Sequence, residues 1–176
     1  FSTQQPSSGE TESLSAFAAS FCRTLLKRAA FLQAERAQLN EFPAGALRSN
    51  PTAKGLVSYG FTVNYYKGAT LPKGETQFEF KVGDFEFNAL NFEYLSVSGA
   101  KAQFRGSGKI TDGQSGISFI MTVIDGQLDG TGIDKVRMKI FNKNTGAIIY
   151  DNMPDASESA NPTTAVAANS SVVISG

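Results

Sequence analysis

Three aspartates and three glycines share one ten-residue stretch, Asp125 to Asp134. Carboxylates and backbone carbonyls on a flexible loop are the hard oxygen ligands that Ca²⁺ collects in sets of about 6–8. Asp125, Asp129 and Asp134 therefore predict a calcium site, which Asp151 would join if the last predicted strand returns beside the loop. The spacing departs from the EF-hand pattern, and the alternative is a solvated hairpin in which Asp and Gly only satisfy turn geometry. A melting temperature that is indifferent to millimolar calcium and to chelator would contradict the calcium interpretation.

The sequence contains no histidine, which excludes histidine-based catalysis and zinc sites that use histidine ligands. The single cysteine, Cys22, excludes an intrachain disulfide and a cysteine metal cluster. Cys22 lies in an apolar stretch, where it is a small buried hydrophobe, an intermolecular disulfide partner or a reactive thiol. Four carboxylates alternate with phenylalanines and are expected on a solvated face rather than as a glycosidase pair: Glu79, Asp84, Glu86 and Glu93. The chain is therefore predicted not to be an enzyme.

Tyr66 is the tyrosine best placed to bind a sugar. Tyr59 and Tyr65 follow the apolar positions of a predicted strand, whereas Tyr66 falls on the opposite face. An amphipathic ring on a solvated face suits stacking on a pyranose, so polysaccharide is a candidate partner. Nucleic acid is not expected, because 16 Lys and Arg balance 16 Asp and Glu, and the basic run from Lys135 to Lys143 alternates along one solvated strand face. No apolar run approaches the roughly 18 residues that span a bilayer.

The elements that position these side chains are mainly β-strands. From Val57 to Tyr65 apolar and polar residues alternate with a period of two, which predicts a half-buried strand. Further strands are predicted at 78–82, 85–87, 92–97, 102–110, 116–124, 135–142 and 147–150. Turn sequences separate these strands at intervals of about 8 to 12 residues, which favours an antiparallel sandwich or barrel over βαβ units. We therefore predict a mainly β domain, an antiparallel β-sandwich over residues 51–152.

An N-terminal extension, residues 1–50, is predicted to contain an amphipathic α-helix from residue 14 to about residue 41. Apolar residues recur there at spacings of three and four, beginning with Leu14, Phe17, Phe21 and Leu25. The apolar surface is wider than one buried face requires. The helix is therefore expected to pack on its own domain or to be shared with a neighbouring chain.

Residues 153–176 are predicted to be a linker followed by a strand-like tail. The linker is rich in Ala, Ser, Asn and Thr, and the tail contains Val172, Val173 and Ile174. Such a strand either completes its own sheet or pairs with an exposed sheet edge of another subunit.

Several separated segments resemble one known family in unbroken order. They are Tyr66–Thr70, Thr76–Phe80, Gly99–Gly108 and Asp125–Asn152. Together they resemble the post-choice-of-anchor domain of secreted and cell-surface proteins, chiefly bacterial, over residues 51–152. The resemblance implies export, a β-fold and a place on a large surface protein. Phe141 stands where the family usually has tryptophan, and the N-terminal helix is not something that the family predicts.

These observations predict a secreted, extracellular or cell-surface structural protein. It would be a self-assembling subunit or module of a surface layer, filament or sheath, forming a homo-oligomer through its N-terminal helix and C-terminal strand. Zero formal net charge does not oppose close association. The alternative is a carbohydrate- or partner-binding module of a secreted surface protein.

Overall fold

The computed structural model describes residues 31–39, 45–111, 113–114, 116–168 and 170–175. The ten strands are β1 Phe31–Leu39, β2 Val57–Asn64, β3 Lys73–Phe80, β4 Phe85–Ser98, β5 Lys101–Ile110, β6 Ile117–Ile124, β7 Lys135–Asn142, β8 Ile148–Asp151, β9 Thr164–Ala165 and β10 Val173–Ser175. A 3-10 turn, Lys81–Gly83, joins β3 to β4, and the four-residue helix α1, Gly126–Asp129, lies between β6 and β7.

All ten strands belong to one antiparallel sheet. Its order is β10-β1-β2-β3-β4-β5-β6-β7-β8, and the short β9 pairs with β7. From β2 to β8 each strand pairs with its neighbour in the sequence, so the chain meanders across a single curled sheet. The prediction of a mainly β, antiparallel fold is confirmed. The predicted sandwich is not confirmed, because no described strand leaves this sheet to form a second one.

The predicted N-terminal helix is not supported. Its C-terminal part, Phe31–Leu39, is strand β1, which pairs with β10 on one side and with β2 on the other. One extra residue bulges from β1 between Ala34 and Ala37, and this irregularity breaks the period of two. Pairing on both edges supplies backbone partners that outweigh local helix preference. The rest of the predicted helix, with Leu14, Phe17, Phe21 and Leu25, lies outside the described residues.

The core lies on the concave face and is built largely from phenylalanine. Alternate residues of β2 and β3 are buried, as the period of two predicted. Phe78 of β3 contacts Tyr150 of β8 with 4.6 Å between ring centroids, although four strands lie between β3 and β8 in the sheet order. Phe61 and Phe104 also meet across the interior, at 5.4 Å. Contacts between strands that are not neighbours show that the sheet curls around its own core.

The convex face is also covered where β5, β6 and β7 meet. All eight residues of β6 are buried, including the outward-facing Ser118 and Thr122. Residues 153–161 lie over this face, where Gln103 Nε2 donates to the Glu158 carbonyl at 2.9 Å and Lys101 Nζ donates to the Ser159 carbonyl at 2.8 Å. Residues predicted as a linker therefore form an ordered cover on the outside of the sheet.

Both outer edges of the sheet are occupied by other parts of the same chain. At the β8 edge, Arg48 N–H donates to the Ile149 carbonyl at 2.9 Å and Asp151 N–H donates to the Ala46 carbonyl at 3.0 Å. At the β10 edge, side-chain carboxylates take the place of a neighbouring strand. Covered edges do not present unpaired backbone groups to other chains.

Candidate docking site of the C-terminal strand

The loop between β6 and β7 is organised around Asp125. One oxygen, Oδ1, accepts hydrogen bonds from Gln127 N–H at 2.9 Å and from Leu128 N–H at 3.2 Å, so Asp125 is the N-cap of α1. Gly130 ends this short helix in the left-handed conformation, at φ 80°, which glycine adopts without steric strain. The Asp and Gly residues of this stretch therefore fix the shape of the loop.

Asp134 closes the same loop from its other end. Its Oδ1 accepts a hydrogen bond from Gly126 N–H at 2.7 Å. This approach requires glycine at position 126, because a Cβ there would stand 2.2 Å from Ile133 N. The loop thus brings Asp125 and Asp134 together and holds each carboxylate by one oxygen.

The other oxygen of each carboxylate binds the backbone of the C-terminal strand. Asp134 Oδ2 accepts from Val172 N–H at 2.6 Å, and Asp125 Oδ2 accepts from Ile174 N–H at 3.0 Å. Hydrogen bonds to an ionised acceptor are about twice as strong as neutral ones. We call the space between β1 and these two carboxylates the terminal-strand slot. It holds both edges of β10, one by main-chain pairing and one by charge-assisted hydrogen bonds.

The side chains of the tail alternate in the slot. Val172 is 2% exposed and Ile174 is 7% exposed, whereas Val173 between them is 48% exposed. This is the period of two expected for a strand with one buried face. Of the two alternatives for the tail, the structure contains the one in which the strand completes its own sheet. Pairing with another subunit stays a prediction.

Asp129 and Asp151 lie apart from this pair. Asp129 is exposed, and hydrogen bonds from the Thr131 hydroxyl at 2.6 Å and the Thr131 N–H at 2.9 Å lower its pKa. Within the described part of the chain no three Asp, Glu, Cys or His side chains are placed to share a metal ion. Calcium binding stays a prediction, and an ion at Asp125 and Asp134 would compete with β10 for the same oxygens.

Asp151 is instead half of a buried ion pair with Arg137. Arg137 Nε and Nη2 donate to its two carboxylate oxygens at 3.1 and 2.9 Å, and the Arg137 side chain is only 3% exposed. The same guanidinium donates to the carbonyls of Met153, Ala156 and Ser157. The pair therefore anchors the start of the segment that covers the convex face.

The prediction that the basic run of β7 is one solvated face is wrong at Arg137. Arg137 stands opposite Thr122 of β6, a strand whose residues are buried on both faces. The sequence carried a usable signal, since β6 is almost continuously apolar and a strand without a polar face must be covered on both sides.

No family model matches the chain, and no curated protein or solved structure matches it. The resemblance to the post-choice-of-anchor domain stays an expectation from sequence. Within the described residues, no helix has the length and apolar character required to cross a membrane.

Tyr66 lies at a second candidate site. Its side chain is 58% exposed and lines an open groove between the ends of β2 and β3. The other lining residues are Thr62, Lys73, Gly74 and Glu75. The groove combines an aromatic face with a hydroxyl, a cation and a carboxylate, which are the groups that orient a polar ligand.

Of the four carboxylates considered for glycosidase chemistry, Glu79, Asp84 and Glu86 are exposed and Glu93 is half-buried. Glu79 and Glu86 are directly opposite each other on the exposed face of β3 and β4. Glu93 is held by Arg105 and Lys143, each at 3.1 Å. These positions agree with the solvated face that their alternation with phenylalanine predicted.

Proposed function

We propose that this chain is a non-enzymatic structural module of an extracellular or cell-surface assembly. The observation that carries the proposal is the terminal-strand slot, in which two carboxylates and the edge of β1 hold a strand of only three residues. A chain that carries both a strand and a slot complementary to it has the parts for linking copies through β-strand addition. The proposed assembly is a surface layer, filament or sheath.

Two features of the sequence support assembly outside the cell. The ordered segments between residues 51 and 152 resemble a family of secreted and surface proteins. The apolar stretch that begins at Leu14 and Phe17 has more apolar surface than one buried face requires, so it supplies a candidate second contact between copies. Equal numbers of acidic and basic residues leave no net repulsion between copies.

Electron microscopy and light scattering of the full chain test the proposal together. We expect ordered filaments or lattices in the native material and an average mass that rises with protein concentration. A single monomer mass across the whole concentration range, with no ordered particles, would overturn the assignment to a surface assembly.

A binding module is the second candidate, favoured by the exposed Tyr66 ring in the groove with Lys73 and Glu75. An exposed aromatic ring offers an apolar face on which a sugar ring can stack. We expect retention on an immobilised glycan to weaken in Tyr66→Ala. Leu71→Ala is the matched control, since Leu71 is 56% exposed in the same connection but does not line the groove. Equal retention of both variants and the parent chain would remove this candidate.

A further inference from the structure

We propose that the terminal-strand slot accepts the C-terminal strand of a second copy, so that neighbouring copies exchange β10. This inference rests on the proposed assembly function and specifies how two copies join. The exchanged strand would pair with β1 of its neighbour and would donate the N–H groups of Val172 and Ile174 to the neighbour's Asp134 and Asp125. Each contact already present within one chain would be reproduced between two chains.

The slot recognises features that any copy of the segment carries. Its polar contacts are with two backbone N–H groups, two residues apart. The distances are 2.6 Å from Val172 N to Asp134 Oδ2 and 3.0 Å from Ile174 N to Asp125 Oδ2. Its apolar contacts bury Val172 and Ile174 and leave Val173 outside. The slot therefore fits a strand with small apolar side chains at alternate positions, and the C-terminal segment of a second copy meets this requirement residue for residue.

The connection to β10 is suited to exchange. Val166 is fixed beside the slot, where its N–H donates to the Asp134 carbonyl at 2.9 Å. Between Val166 and Val172 the chain contains only Ala, Asn and Ser, and it turns back through a hydrogen bond from Ser170 N–H to the Ala167 carbonyl. When this turn opens, the six residue-to-residue steps from Val166 to Val172 extend to about 20 Å. That length carries β10 to the slot of an adjacent copy.

Concentration decides between the closed and the exchanged forms. The contacts are the same in both, so exchange of an identical element requires little free energy beyond the loss of translational freedom. A short tether holds its own strand near the slot at an effective concentration on the order of millimolar. The closed monomer therefore predominates in dilute solution, and exchange becomes favourable when copies are packed side by side on a surface.

Disulfide trapping between two full-length chains tests the exchange directly. Gln33 of β1 is directly opposite Val173 of β10. In the Cys22→Ser background, one chain carries Gln33→Cys and a differently tagged chain carries Val173→Cys. Opposed antiparallel residues lie within the Cα separation that a disulfide spans, about 4.4–6.8 Å. We expect a disulfide-linked heterodimer after the two chains are mixed at high concentration.

Two controls make the result decisive. Gln33→Cys mixed with Val82→Cys, a residue 60% exposed at the turn between β3 and β4, measures cross-linking by random collision. A single chain with both Gln33→Cys and Val173→Cys measures the closed form and is expected to link internally when dilute. Several-fold more heterodimer than in the collision control supports exchange. Heterodimer at the collision level, or a double variant that does not link internally, overturns it.

Variants of the slot carboxylates separate the slot from other contacts. Asp134→Asn is expected to reduce the heterodimer yield, because the amide offers one acceptor oxygen to the two N–H groups of Gly126 and Val172. Asp129→Asn changes an exposed carboxylate of the same loop that does not contact β10, so it is expected to leave the yield unchanged. Equal loss in both variants would contradict recognition by the slot.

The exchange and the proposed function fail in different ways. Ordered assemblies in electron micrographs without heterodimer cross-links would mean that copies join through another surface, and only the exchange would be wrong. Cross-linked dimers that never form ordered assemblies would support the exchange of β10 and contradict the surface-assembly function. A chain that stays monomeric and never links to a second copy would contradict both.

Discussion

Single residues of the β6–β7 loop serve two segments at once. Asp134 gives one carboxylate oxygen to Gly126 N–H inside the loop and the other to Val172 N–H of the tail. Asp125 divides its oxygens in the same way, between α1 and Ile174. The clustering of Asp and Gly in this stretch predicted a calcium site, which stays a prediction. The sequence could not predict that these carboxylates accept hydrogen bonds from N–H groups about 40 to 50 residues further along the chain. Every residue except proline has a backbone N–H, so residue type does not show which one donates.

Asp134→Asn is expected to destabilise the protein by about 1–3 kcal/mol, the usual effect of leaving a buried N–H without an acceptor. The amide has one oxygen, so it can serve Gly126 or Val172 but not both. Equilibrium denaturation gives the free energy of unfolding, and hydrogen exchange shows which N–H has lost protection. Asp129→Asn, in the same loop, is the control and should leave both measurements near those of the parent chain.

Tyr59 makes stability fall in alkaline solution. Burial first, and then the negative charge of Asp134, raise the pKa of Tyr59 well above the ordinary tyrosine value of about 10. The folded state therefore keeps a proton that the unfolded state releases above that value, so the free energy of unfolding is constant below about pH 10 and decreases above it. Burial raises the pKa of Tyr150 as well, so two side chains contribute.

Tyr59→Phe should flatten this alkaline decrease. The Tyr59 hydroxyl has no hydrogen-bond partner among the described residues, so its removal is expected to leave stability at neutral pH unchanged or slightly higher. Denaturation at a series of pH values gives the free energy of unfolding below and above pH 10. Tyrosinate absorbance shows the pH at which the tyrosines ionise. A decrease above pH 10 as steep as in the parent chain would show that Tyr59 does not cause it.

At the scale of elements, β10 is held by alternate side chains as well as by its backbone. Ile174→Ser places a hydroxyl in a buried apolar site, whereas Val173→Ser changes a residue that is 48% exposed. We expect Ile174→Ser to release β10 locally, with faster hydrogen exchange along β1 and faster digestion by carboxypeptidase. Val173→Ser should remain close to the parent chain. Equal digestion of both variants would contradict the burial pattern.

The buried Arg137–Asp151 ion pair anchors the start of the cover over the convex face. Arg137→Met leaves Asp151 as a buried charge without its partner, which typically destabilises a protein by about 3–5 kcal/mol. Lys139→Met is the matched control on the same strand, because its partner Glu158 is 54% exposed and such pairs contribute about 0–1 kcal/mol. Denaturation and limited proteolysis within residues 153–161 measure the two effects. Similar losses in both variants would mean that Arg137 is not the anchor.

How well each element could be predicted depended on how its two faces are buried. β2 was predicted to within one residue, because one face is apolar and the other polar throughout. Residues 73–77 of β3 were missed, since Lys73–Glu75 is exposed and shows no alternation. β1 was predicted as a helix because its spacing of apolar residues allowed it, and its pairing with β10 joins segments about 140 residues apart in the sequence. Long-range pairing is not visible in a local pattern.

At the scale of the whole molecule, closed edges keep single copies apart, and opening one edge would join them. The β8 edge is paired with residues 46–48, and the β10 edge is held by carboxylates. Assembly through strands therefore requires that one of these contacts open first. The terminal edge is the better candidate, because only three residues of β10 pair with β1. A complex made in this way must also dissociate slowly, since every contact in the slot has to break before the strand returns.

A disulfide that locks β10 to β1 within one chain should therefore prevent assembly. In the Cys22→Ser background, the oxidised chain with Gln33→Cys and Val173→Cys is expected to stay monomeric at concentrations where the reduced chain forms oligomers. Light scattering before and after a reductant is added compares the average mass of the oxidised and reduced chain in one sample. After rapid dilution, the reduced oligomers should persist for a time. If the locked chain assembles as readily as the reduced chain, the contact between copies lies elsewhere, and the apolar stretch that begins at Leu14 becomes the first surface to change.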